Sequence, residues 1–89
     1  MPTLSIFYGI IITMYYFDDK EHHLPHFHAN YGEYDIVISI NEGQIIKGNF
    51  PKNKLKLVMA WAEIHKEDLL ANWKLAVDGN LLHKIEPLR

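Results

Sequence analysis

Two runs of strict alternation, hinged on one glycine, constrain this chain more than anything else in it. In the first, His26, His28 and Asn30 share one side and Phe27, Ala29 and Tyr31 the other. After Gly32, Glu33, Asp35, Val37 and Ser39 share one side and Tyr34, Ile36, Ile38 and Ile40 the other. A period of two on both sides of a turn residue predicts an antiparallel hairpin. Its inner face holds Phe27, Ala29 and Tyr31 beside Tyr34, Ile36, Ile38 and Ile40. Its outer face holds His26 and His28 with Glu33, Asp35 and Ser39. Two registers satisfy the pattern. A two-residue turn at Tyr31-Gly32 sets His28 opposite Asp35 and His26 opposite Val37. A four-residue loop sets Asn30 opposite Asp35 and His26 opposite Ser39.

The flanking segments complete the expected fold. Residues 6–17 are almost all β-branched or aromatic and read as one more strand, followed by the charged turn Asp18–Glu21. Asn41–Gln44 is a second turn, and Ile45–Asn49 a short strand ending at Phe50-Pro51. From Lys52 the period changes to steps of three and four. Leu55, Val58, Ala62, His65, Leu69, Trp73 and Ala76 form an amphipathic stripe. Pro51 suits a helix start and Gly79 a helix end. The helical run is long, so a break is expected near His65–Asp68, with Glu67 or Asp68 opening the second helix. The tail from Leu81 is expected to be extended and to dock Leu82, Ile85 and Leu88. The fold class that follows is α+β. About four antiparallel strands precede two helices packed on their apolar face, in the order ββββαα, within a single domain spanning residues 1–89.

Composition excludes several kinds of function. There is no cysteine, hence no disulfide framework and no thiolate metal site. The formal net charge is −2, which opposes a strongly basic nucleic-acid binder or a polybasic membrane anchor. The apolar stretch Leu4–Phe17 has no basic region before it and is too short to span a bilayer, so a cytoplasmic protein with no membrane partner is expected. No phosphate-binding loop, nucleophile elbow or HExxH pattern occurs.

What stands out is histidine: six in 89 residues, four of them between positions 22 and 28. His26 and His28, two apart on a strand, have Cα atoms about 6.6 Å apart on one face. Two imidazoles so placed can clamp an ion, with His22, Glu33 or Asp35 as third ligand; the metal's identity is open. The same residues suit acid–base work, with His28 as base or acid and Asp35 orienting it. Lys47, Lys52 and Lys56, near the start of the first helix, are candidate phosphate contacts. Trp61 and Trp73 read as core, and His65 as a packed residue of the helical stripe. The tyrosines Tyr15, Tyr16, Tyr31 and Tyr34 are suited to stacking on bases.

A further set of residues carries a resemblance. It comprises Met1-Pro2-Thr3, Phe7-Tyr8-Gly9-Ile10, Met14-Tyr15, Pro25-His26-Phe27-His28-Ala29 with Tyr31-Gly32, Trp61-Ala62, Asn72-Trp73 and Ile85-Glu86-Pro87-Leu88. Along nearly its whole length the chain resembles the small bacterial family catalogued as domain of unknown function 4160. The family pattern has Asp-His before Pro-Pro-His-Phe-His. Here Glu21-His22 takes the first place and Leu24 replaces the first proline, which makes His22 the counterpart of the leading histidine. The resemblance implies no established activity. Family members are often encoded beside another small domain, in pairs that look like toxin–antitoxin modules. Three functions follow as expectations. One is a toxin-like protein with a small partner encoded nearby, acting on RNA through His26 and His28. Another is a non-catalytic interaction module, binding a partner or a second copy of itself. The third is a metal-binding protein using His26, His28 and His22. Whether the chain is an enzyme is left open, and no organic cofactor is implied.

Overall fold

The computed structural model describes residues 2–16 and 24–89. Five strands precede two helices: β1 Thr3–Phe7, β2 Ile10–Thr13, β3 His26–Tyr31, β4 Tyr34–Ser39, β5 Ile45–Gly48, α1 Lys52–Ile64 and α2 Lys66–Val77. The strands form one antiparallel meander in sequence order. The α+β class and the strands-then-helices order are as the alternation implies.

The added strand arises inside the segment read as one. Residues 6–17 are not continuous; the chain turns at Tyr8-Gly9, pairing Phe7 with Ile10 and Ile6 with Ile11. Tyr8 (φ 51°) and Gly9 (φ 78°) both lie in the left-handed region. That is the signature of a type I′ two-residue hairpin, whose twist matches the strands it joins. Tyr8 accepts a conformation that few aromatic residues take, and Gly9 takes the second at little cost. The β-branched run on both sides conceals the turn.

The β3–β4 hairpin adopts the second of the two registers. Asn30 faces Asp35, His28 faces Val37 and His26 faces Ser39. The ladder continues to Tyr31 opposite Tyr34, so the turn is the pair Gly32-Glu33 rather than a four-residue loop. The inner face is the expected one: Phe27, Ala29, Ile36 and Ile38 are all buried. They join Leu4, Phe7, Ile10, Ile12 and Met14 from β1, β2 and the residue after it. Trp61 of α1, fully buried, covers this face with its ring centroid 5.3 Å from Phe7 and 6.0 Å from Phe27. Burying a side chain of that size contributes roughly 2–3 kcal/mol or more.

Pro51 stands at the N-cap of α1, where its missing N–H costs nothing, and its carbonyl accepts the first helical bond from Leu55 at 2.8 Å. The helix breaks at His65 (φ −108°, ψ 26°) while the bonds His65 N–H to Trp61 and Leu69 N–H to His65 persist. The joint is one residue long, so two helices are present rather than one bent rod. Glu67 and Asp68 occupy the first turn of α2 and Lys74 the last, all favourable to the helix dipole. The end of α2 is a Schellman motif: Asn80 N–H reaches Leu75 and Gly79 N–H reaches Ala76, with Gly79 at φ 75°. Beyond it the tail docks as expected, Ile85 buried and Leu82 and Leu88 partly so.

Candidate functional site

Strand alternation puts His26 and His28 on one side of β3, with Thr13, Val37 and Ser39 beside them. The expected solvent-facing character of that side is wrong at this end of the sheet. His26 is 0% exposed, Thr13 and Ser39 3%, and Val37 6%. The physical reason lies in aromatic packing: the His26 ring sits 4.8 Å from that of Trp73 on α2, and 5.5 Å from that of His28. His28, half-buried, meets the ring of Tyr15 edge-on at 4.4 Å.

The backbone holds His26 in one orientation. Its Nδ1–H donates to the carbonyl of Leu24 at 2.7 Å. That bond leaves the lone pair of the neutral ring on Nε2, as in histidines that ligate or act as bases. Leu24 precedes Pro25, whose carbonyl accepts from Ile40 N–H at 2.9 Å and so extends the β3–β4 ladder backward. Ser39, opposite His26, is also committed: its hydroxyl accepts from Gln44 N–H at 3.1 Å, bracing the β4–β5 turn. Thr13 differs. Its hydroxyl is buried opposite His28 with no hydrogen-bond partner among the described residues.

The other candidate residues are distributed around the sheet. Asp35 is exposed and faces Asn30, which makes it a diagonal neighbour of His28, about 7–8 Å away, rather than its cross-strand partner. Lys47 is exposed on β5 opposite Val37, in the same row as His28 and two strands along, about 9–10 Å from it. Lys52 and Lys56 are exposed on α1, which covers the opposite face of the sheet. Their end of α1 lies at the far end of β3. There Lys54 Nζ sits 4.9 Å from the centre of the Tyr31 ring and donates to the carbonyl of Tyr8 at 3.3 Å. His22, the third candidate ligand, lies outside the described residues. Among the described residues, no three His, Cys, Asp or Glu side chains converge closely enough to hold a metal ion. No helix among them is long and apolar enough to cross a membrane.

Sequence reasoning missed two features. Trp73, read simply as core, is the residue that covers His26. Asn72 beside it is buried (2% exposed) and holds the tail with two hydrogen bonds, from Nδ2 to the His83 carbonyl and from the His83 N–H to Oδ1. The available signal was a polar residue next to the helical stripe, one step from Trp73. A cleft of about 260 Å³ lies between α2 and the tail, lined by His65, Asp68, Asn72, His83, Lys84 and Glu86 among others. His65 Nδ1 lies 3.5 Å from Asp68 Oδ2 there, and its ring leans on Trp61 at 5.5 Å.

A five-stranded antiparallel meander backed by two helices, with a His-x-His pair (His26 buried, His28 half-buried) at the head of its central strand, defines the class of small α+β domain to which this chain conforms. It belongs to the family described as Domain of unknown function (DUF4160), whose model matches residues 9–74. The match includes His26, His28, Asn72 and Trp73. No curated protein and no solved structure matches the chain.

Proposed function

We propose that this protein is a protein-binding member of a two-protein module of the toxin–antitoxin kind, acting in the cytoplasm with a small partner encoded beside it. The observation that carries the reading is a pair of isoleucines. Ile6 and Ile11 stand directly opposite one another on β1 and β2, on the sheet face turned away from Trp61, and are 59% and 39% exposed. Apolar side chains paired on an open sheet face are the raw material of an interface core. His26, on the same face, supports the same reading: its ring is buried against Trp73 and so is placed for packing rather than for reaching a substrate. The test is co-purification of the neighbouring gene product with the wild-type chain and with Ile6→Asp/Ile11→Asp. Loss of the partner from a variant that keeps the wild-type circular dichroism is expected. Retention of the partner would refute the reading.

An RNA-directed reading draws support from one row of the sheet, where half-buried His28 and exposed Lys47 lie on the same face. An imidazole and an ammonium about 9–10 Å apart suit acid–base work beside a phosphate contact. Growth inhibition on expression that disappears in both His28→Ala and Lys47→Ala is its expected outcome. Unchanged inhibition in these variants would discard it.

A further inference from the structure

The sheet face turned away from Trp61 is open along one row of residues. The row crosses four strands, with Ile6 opposite Ile11, Ile11 opposite Asn30 and Asn30 opposite Asp35. Three strand spacings of about 4.8 Å make it roughly 14 Å long. Its two ends differ in chemistry. Ile6 and Ile11 form an exposed apolar end. Asp35 is exposed at the other end, and so is Glu33 in the turn before it. Neither carboxylate is in an ion pair among the described residues. The next row runs through Thr13, His28 and Val37 to Lys47. Thr13 and Val37 are buried there and His28 is half-buried, so the open strip is one row deep until Lys47 at its β5 end. A strip so narrow cannot seat a second sheet, which packs through several rows at once. It offers no main-chain bonds either, because β2, β3 and β4 are interior strands paired on both sides. An extended segment laid across them would leave its own N–H and C=O groups without partners, whereas a helix satisfies its own.

We infer that this strip seats one amphipathic helix of the protein partner, laid across the strands, with aliphatic residues over Ile6 and Ile11 and an arginine or lysine over Asp35 and Glu33. The inference rests on the reading of Ile6 and Ile11 as an interface, and it adds the partner's form and charge. The spacings agree. Ile6 and Ile11 are one strand apart, about 5 Å, which is close to the rise of three or four helical residues. Ile11 and Asp35 are two strands apart, about 9–10 Å, and seven helical residues rise about 10.5 Å. Partner positions i, i+4 and i+11 therefore meet Ile6, Ile11 and Asp35 in turn. At 100° per residue these three positions fall within about 40° of one helix face. The apolar end supplies buried area, and the carboxylate end rejects a helix that brings an acidic residue there.

The test uses the full chain and two synthetic helical peptides of about 18 residues, roughly 27 Å long. Both carry leucine at i and i+4; one has arginine at i+11 and the other glutamate. Binding is read at low salt by NMR chemical-shift titration of the isotope-labelled protein. The arginine peptide is expected to bind at least tenfold more tightly than the glutamate peptide, with shifts centred on the amides of Ile6, Ile11, Asn30 and Asp35. In Glu33→Lys/Asp35→Lys the preference is expected to reverse. Equal binding of the two peptides, binding of neither, or an unchanged preference in the charge-swapped variant would overturn the inference. So would a homodimer in sedimentation that Ile6→Asp/Ile11→Asp dissociates, since a second copy would then fill the strip. The co-purification assay separates this inference from the reading beneath it. The neighbouring gene product is expected to be lost from Glu33→Lys/Asp35→Lys as well as from Ile6→Asp/Ile11→Asp. Loss from the isoleucine variant alone would overturn the helix and its charge and leave the interface standing.

Discussion

His26 and Asn30 sit four residues apart on the same strand and on the same side of it, and their surroundings are opposite. His26 is fully buried, its ring against Trp73 and its Nδ1–H tied to Leu24; its neighbour across the ladder, Ser39, is buried too. Asn30 is half-buried and faces Asp35, which is exposed. Between them His28 is half-buried, like Asn30. Alternation within a strand determines which side chains share a face. What covers that face is decided by elements far away in sequence, here α2, more than 40 residues later.

The comparison can be broken or sharpened by substitution, and the largest effect is expected at the covering residue. Trp73→Ala should lower the unfolding free energy by about 3–4 kcal/mol in urea titrations, since it removes a large ring and opens the His26 site. A loss under about 1 kcal/mol would mean that the aromatic cluster does not hold this end of the sheet. His26→Ala should cost about 2–3 kcal/mol, combining lost packing with a Leu24 carbonyl deprived of its donor. Combined with Trp73→Ala in a double-mutant cycle, it should show a coupling of about 0.5–1.5 kcal/mol, and strict additivity would show that the rings do not interact. Thr13→Val should leave stability unchanged or raise it by up to about 1 kcal/mol, because it replaces a buried hydroxyl without a partner among the described residues by a methyl group of the same shape. A clear loss in the thermal midpoint would reveal a hydrogen bond to that hydroxyl. Asn30→Ala, at the open end, should stay within about 0.5 kcal/mol of wild type. An effect as large as that of His26→Ala would erase the contrast between the two ends.

Much of the architecture was legible from local pattern. The period of two gave the inner face of β3 and β4 residue by residue. The change of period at Lys52 marked α1, and Gly79 marked the end of α2. The His65 break and the docking of Ile85 were legible as well, one from excessive helix length and the other from apolar spacing in the tail. The Tyr8-Gly9 turn was not, because a type I′ turn usually carries Asn or Asp before glycine, and a tyrosine amid isoleucines hides it. The candidate site was half legible. His26 and His28 do lie together on one face, whereas the phosphate candidates Lys52 and Lys56 belong to the helix on the opposite face.

The amino-acid sequence by itself determined the strands, their apolar faces, the helical stripe and the lack of any thiolate chemistry, because each depends on neighbours a few residues apart. The tertiary structure alone decided the register at Gly32, the burial of His26 beneath Trp73, and the use of Asn72 and Trp61 to hold the tail backbone. Those depend on side chains brought together over long stretches of chain, where local periodicity carries no information about which surface meets which.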